Sequence, residues 1–184
     1  MGSVNPVDDP LCPPGVLDEY KAYYKAESFT HKLRREIVQN RDKWKNEIDA
    51  ELLPSYPDTK NIDYDPVEVM GHYTMFINDA GIMNFPPART YEGIAAGCVM
   101  VAEELPIWKE LGFQDGYNAV LFQAGNYEQM IGKIQYYMQN GELLNKMQKN
   151  ARRLLPEYSH ECIADKLFKD ICEKAISQEN RNEG

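Results

Sequence analysis

The sequence predicts an α/β fold: a parallel sheet with helices on both faces, preceded by a helical N-terminal segment. Three observations predict it. Short apolar, β-prone runs occur at residues 73–77, 98–101 and 118–122; helix-forming stretches separate them; and three longer helical patterns follow the last run. Strands this short and this apolar, spaced by helices, suit a sheet covered on both sides. Such sheets bind ligands in the loops at the carboxyl ends of their strands.

The chain has 184 residues, 43% hydrophobic and 27% charged, with a net charge of -9. That length suits one domain with a sizeable core. Twenty Lys and Arg against 29 Asp and Glu give no general attraction for nucleic acid, although a local basic patch can hold one small anionic ligand. No run reaches the roughly 18 uncharged apolar residues of a membrane-spanning helix. The N-terminus MGSVNPVDDP lacks the basic and apolar regions of a signal peptide. A cytoplasmic protein with no transmembrane segment is expected. Its four cysteines, Cys12, Cys98, Cys162 and Cys172, form no CxxC pair, so reduced thiols rather than a zinc site are expected.

Residues 1–14 carry four prolines and almost no large apolar side chains, a composition that cannot repay the entropy of ordering; they are expected as a disordered tail. Residues 15–64 form a helical segment and an acidic connector. Leu17, Tyr20 and Tyr24, then Leu33, Ile37, Trp44, Ile48 and Leu52, recur at helical steps, and KLRREIVQNRDKWKNEIDAELL is expected as one amphipathic helix. Its basic run Lys32, Arg34 and Arg35 is followed by Glu36, Asp42 and Glu47, the pattern of paired surface charge. Pro54, Pro57 and the acidic stretch 58–65 end it. The domain proper, residues 65–177, places strands at 73–77, 98–101 and 118–122. Helices are expected at 87–97, 103–111, 127–139, 142–155 and 160–176. Residues 178–184 form a second tail.

The most informative segment is FINDAGIMNFPPARTYEGIAAGCVMVAEELPIW, residues 76–108. A strand ends, a loop rich in Asn, Gly and Pro follows, and a helix begins at Pro87 or Ala88, where a proline costs no hydrogen bond. The first turn of that helix faces the strand ends with its backbone N–H groups. It is a natural phosphate seat, with Arg89 adding positive charge and Thr90 a hydroxyl. Glu92, one turn on, suits vicinal sugar hydroxyls, as an acidic residue does in dinucleotide sites. Gly93 and Gly97 let a sheet or a ligand approach closely. Each piece also has a purely structural account: a surface Glu92, an Arg89 paired to it, and glycines that pack a helix on a sheet.

Taken whole, Arg-Thr-Tyr-Glu-Gly-Ile-Ala-Ala-Gly-Cys-Val-Met-Val (89–101) resembles the R-x-x-E-A-x-A-x-G-x-P-V signature of GT-B glycosyltransferases of the group 1 type, including their shorter CgeB-like relatives. Residues 103–111 resemble the family's acceptor-side helix, GFQDGYNAVLF (112–122) its next strand, and 126–155 the helix pair beyond. Tyr158, Ser159 and His160 loosely match the step into its terminal helix. The resemblance implies a Rossmann-like sheet forming the C-terminal, nucleotide-sugar-binding half of a GT-B fold. It implies transfer of a sugar from a nucleotide-diphosphate sugar to an acceptor hydroxyl, with retention and without a metal. It implies sugar-donor binding by Glu92 at the ribose, with Ala88, Arg89 and Thr90 near the diphosphate and Gly93 beside them. The family's earlier glutamate, eight residues before Glu92, is Asn84 here, an amide that can still bond a hydroxyl. The catalytic residue is left unassigned.

A complete GT-B enzyme has two Rossmann-like domains, and this chain has room for one. The resemblance therefore points to a truncated or split form whose acceptor-binding domain or subunit is a separate partner. A clear match to the family's diphosphate-binding Arg/Lys pair is absent, Arg34 and Arg35 qualifying only if the fold brings their helix back. The alternative is a non-catalytic nucleotide-sugar-binding or protein-interaction module. Asp63/Asp65 and Glu103/Glu104 are expected as surface charge or helix caps. His31 and His160 lack a Cys or carboxylate at ligand spacing, and His72 precedes the first strand and so sits at the wrong end of a parallel strand for catalysis. Cys98 is expected as a small core residue, and Trp108 and Tyr117 as packing groups.

Overall fold

The computed structural model describes residues 32–51, 65–80 and 86–182. In chain order the elements are α1 (Lys32–Gln39), α2 (Arg41–Ile48), α3 (Pro66–Met70), β1 (Met75–Asn78), α4 (Arg89–Ala96), β2 (Val99–Glu103), α5 (Pro106–Glu110), β3 (Ala119–Phe122), α6 (Tyr127–Gln139), α7 (Gly141–Arg152), a 3-10 turn (Leu155–Tyr158) and α8 (His160–Asn182). The three strands are parallel in the order β1-β2-β3, with Phe76 opposite Met100 and Val101 opposite Val120. The predicted α/β architecture with a parallel sheet is therefore present.

Both faces of the sheet are covered, which is why β2 and β3 read as unbroken apolar runs rather than alternating ones. One face presents Val99, Val101, Val120 and Phe122 to α1, α2, α6 and α7 through Leu33, Trp44, Ile48, Met130, Ile134, Leu144 and Met147. The other presents Met100, Ala102, Ala119 and Leu121 to Ile94 of α4, Trp108 of α5, Phe113 and Ala151. Trp108 is fully buried, its indole N–H donating to the Glu103 carbonyl and its ring edge-on to Phe113. Tyr117 is exposed. His72 and His160 are also exposed, one before β1 and the other opening α8.

The structure departs from the sequence expectation in several places. The single helix expected through residue 53 is two, α1 and α2, broken at Asn40. The Asn40 side-chain amide donates to the Glu36 carbonyl, local bonding that competes with a continuous helix. Asp49, in the left-handed region at φ 51°, ends α2. The helical segment expected to precede the domain contributes Leu33, Trp44 and Ile48 to the domain's own core. Helix α3 was not anticipated within the stretch around Asp65, yet its start carries a cap. Asp65 accepts from the Val67 and Glu68 N–H groups, and Pro66 takes the first helical position. Strand β2 continues to Glu103, so α5 starts later than expected.

Helix α8, whose start is capped by the Ser159 hydroxyl at the Cys162 N–H, runs to Asn182 and takes in most of the expected C-terminal tail. It turns Ile163, Leu167, Phe168 and Ile171 to solvent. The expected N-terminal tail, Cys12, His31, Asp63 and Asn84 lie outside the described residues. No helix among the described residues is long and apolar enough to cross a membrane.

Candidate functional site

Because β1, β2 and β3 are parallel, their carboxyl ends share one edge, and the helices that follow β1 and β3 begin there. At the β1 corner the chain leaves the strand at Asn78 and re-enters α4 with Ala88 at its N-cap. Asn78 and Thr90 are both fully buried. The Asn78 amide donates to the Thr90 hydroxyl at 2.9 Å, and its carbonyl oxygen accepts from Arg89 Nε at 2.8 Å. Arg89 Nη2 also donates to the Asp79 carboxylate. That pair is well shielded, with Asp79 only 10% exposed and the Arg89 side chain 33%.

Arg89 and Thr90 are thus joined at this corner through Asn78, with uses more specific than the sequence conveyed. Thr90 is a buried acceptor for Asn78. Arg89 is an ion-pair partner of Asp79, so its charge is already partly balanced. Gly93 is buried and sits against the Phe76 ring: a Cβ there would lie 2.4–2.7 Å from three ring atoms, so the close approach is helix to sheet. The Thr90 and Tyr91 N–H groups donate to the Pro87 and Ala88 carbonyls, which engages part of the first turn in its own hydrogen bonds. Glu92 is half-buried, and among the described residues its carboxylate has no hydrogen-bond or ion-pair partner. A half-buried carboxylate in that position gains from donors that a ligand brings, and a vicinal diol supplies two.

Asn78 and Asp79 were not singled out from sequence. The signal for Asn78 was present: a polar residue ending the apolar strand MFIN, where burial demands partners.

The β3 corner is built differently. Glu103 accepts from the Gly125 N–H at 2.9 Å, Asn126 caps α6 through the Gln129 N–H, and Gln129 in turn accepts from the Gln123 N–H. These N–H groups are satisfied internally, and Glu103 serves as a tie between strand and loop. A shallow depression of about 540 Å³ lies beside them, lined by residues including Glu36, Lys43, Gln123 and Tyr127. Burial, and the nearby Glu103 and Glu36 carboxylates, push the Tyr127 hydroxyl pKa up. Helix α1, which carries Arg34 and Arg35, packs on the face of the sheet opposite α4. Among the described residues, no group of three or more His, Cys, Asp or Glu is arranged to hold a metal ion.

The model of a family described as glycosyl transferase-like matches residues 34–169. The chain belongs to the glycosyl transferase-like family. The match runs from α1 to the first half of α8, so both covering layers of the sheet lie inside it. No curated protein and no solved structure matches the chain significantly.

Cys98 illustrates a reactive group that this glycosyl transferase-like domain keeps silent. Its buried thiol donates to the Met70 and Tyr73 carbonyls. Burial pushes its pKa up to about 11, against a smaller opposite pull from Arg152. Only the thiolate is a competent nucleophile. Iodoacetamide at pH 8 is therefore expected to modify the less buried Cys162 and Cys172 while native Cys98 stays unlabelled, as peptide mass mapping would show. Labelling of Cys98 at the same rate as the other two would contradict this account.

Proposed function

We propose that this glycosyl transferase-like chain is the sugar-donor-binding portion of a glycosyltransferase, the C-terminal half of a GT-B fold of the CgeB-like type. Its reaction is transfer of a sugar from a nucleotide-diphosphate sugar to an acceptor hydroxyl, with retention. A partner domain or subunit supplies the acceptor site, and the protein works in the cytoplasm. The observation that carries this reading is the half-buried Glu92 in α4, without a partner among the described residues and one turn from the helix start at the carboxyl end of β1. The Arg89-to-Val101 string and the family match support it.

The ribose hydroxyls of the donor donate to Glu92. Ala88 and Arg89 border the diphosphate, and the buried Thr90 supports the turn from behind; by the family resemblance Asn84 is the residue in line for a sugar hydroxyl. Charge that builds on the departing diphosphate is met by the α4 dipole and the Arg89 guanidinium. The Arg89–Asp79 pair moderates that help, because a phosphate must share the guanidinium with a carboxylate already bound to it. The same pair favours the second reading, a domain that binds a nucleotide sugar without turning it over.

The test is titration with UDP, GDP, ADP and their common sugar conjugates, followed by thermal shift and calorimetry, on the wild type and on Glu92→Ala. One nucleotide is expected to stabilise the wild type saturably. Glu92→Ala is expected to weaken it at least about tenfold, since hydrogen bonds to a charged group contribute about 1.5–3 kcal/mol and 1.4 kcal/mol is tenfold. No shift with any nucleotide at millimolar concentration would remove the donor-binding reading.

A further inference from the structure

We propose that Asn78 is the positioning residue of the sugar-donor site, an inference that rests on the donor-binding reading above. Asn78 is the last residue of β1 and has no exposed surface. A carboxamide in that position is costly to bury unless its polar groups are bonded. Here each end of the amide holds a different, consecutive residue of one helical turn: Nδ2 reaches Thr90 Oγ1 at 2.9 Å and Oδ1 receives Arg89 Nε at 2.8 Å. Met100 Sδ lies 3.4 Å from the same Nδ2.

Two bonds to adjacent residues fix more than a distance. Successive helix residues are rotated about 100° around the axis, so holding Arg89 and Thr90 together fixes the rotation of α4 relative to β1. Glu92, two residues beyond Thr90 on a helix of eight residues, takes its direction from that rotation. A site loses efficiency when its groups move by about 1 Å. Asn78 therefore sets where the Glu92 carboxylate and the Arg89 guanidinium stand without itself touching the nucleotide.

A purely structural role makes a different prediction, because an apolar pair would fill the same space. Replacing both partners of a buried hydrogen bond by apolar groups of similar shape is close to neutral for stability. The Asn78→Leu/Thr90→Val double variant also frees Arg89 Nε, but that side chain is one-third exposed and keeps its Asp79 partner. The variant is therefore expected to melt within about 4 °C of the wild type, less than a substantial loss of stability would produce. It is nevertheless expected to bind the nucleoside diphosphate that wild type binds best, among UDP, GDP and ADP, at least tenfold more weakly. The single variants Thr90→Val and Thr90→Ser complete the test. The first removes the acceptor at nearly constant shape and is expected to lose affinity; the second keeps the hydroxyl and is expected to bind within threefold of wild type.

Equal nucleotide affinity in wild type, Thr90→Val and Thr90→Ser would overturn the positioning role and leave the donor-binding reading intact. A wild type that binds none of the three nucleotides would overturn both.

Discussion

Replacing Trp44 by alanine is expected to destabilise the entire domain by about 3–5 kcal/mol, the range for removing a buried tryptophan. Trp44 is 1% exposed in the core cluster that holds Val99, Val101, Val120 and Phe122. Its indole N–H donates to the Glu36 carbonyl, tying α2 to α1, and its ring stands edge-on to Tyr127 at the start of α6. Truncation therefore opens a cavity under the sheet and removes the link between the two N-terminal helices at once. Domains are typically stable by only about 5–15 kcal/mol, so the loss takes a large part of the total.

Trp108 supplies a separate probe, because it is buried on the opposite face of the sheet. In guanidinium unfolding of Trp44→Ala, followed by Trp108 fluorescence, the midpoint is expected to fall in one cooperative transition. An unchanged Trp108 midpoint would mean that α1 and α2 come off by themselves and do not belong to the domain. Lys43→Ala is the neighbouring control: Lys43 is exposed and lies over the Trp44 ring at 5.1 Å. Surface changes of that kind stay within about 0.5 kcal/mol.

That the sequence left open what these helices cover has a plain physical reason. Periodicity states that Leu33, Ile37, Trp44 and Ile48 share a face, and it is silent about what that face covers. The strands were legible because their signal is local and redundant: apolar runs such as Val99–Ala102 and Ala119–Phe122 have little option but to be buried. The helix ends were less so. Asn40 acts through a side-chain bond to one particular backbone group, and a lone Asn gives little warning of which bond it will make. Asp65, expected as surface charge or a cap, does cap a helix, but the short α3 it starts was not expected. In the candidate site, the position of α4 and its Glu92 followed from a strand, a turn-rich loop and a proline. The bonds from Asn78 to Arg89 and Thr90 did not, because they join residues 11 and 12 apart across a loop. Only the fold brings those groups to one corner. Gly93 shows the same limit from another side: sequence demanded a close approach, and the structure supplies Phe76 as what approaches.

That contact makes Gly93 the second position where a single change has a large effect. A glycine inside a helix costs about 1 kcal/mol relative to alanine, so Gly93→Ala would stabilise α4 if space allowed. Space does not allow it: the added carbon would stand 2.4, 2.6 and 2.7 Å from Phe76 ring atoms, whereas carbon atoms meet at about 3.5–4.0 Å. The ring must swing aside or α4 must lift from the sheet, and overpacking of this kind costs about 1–3 kcal/mol. Gly93→Val, with two further methyl groups and a β-branch, is expected at the upper end, about 3 kcal/mol. The decisive measurement is a double-mutant cycle with Phe76→Ala, which vacates the space. Gly93→Ala is expected to destabilise the wild type and to be neutral or stabilising in Phe76→Ala; equal effects in both backgrounds would mean that the ring is not what forbids a side chain. The close approach also carries the site. Asn78 reaches the Thr90 hydroxyl only because α4 lies directly on β1, so a valine that lifts the helix is expected to weaken nucleotide binding together with stability. Restoring the fit at Phe76 should recover both.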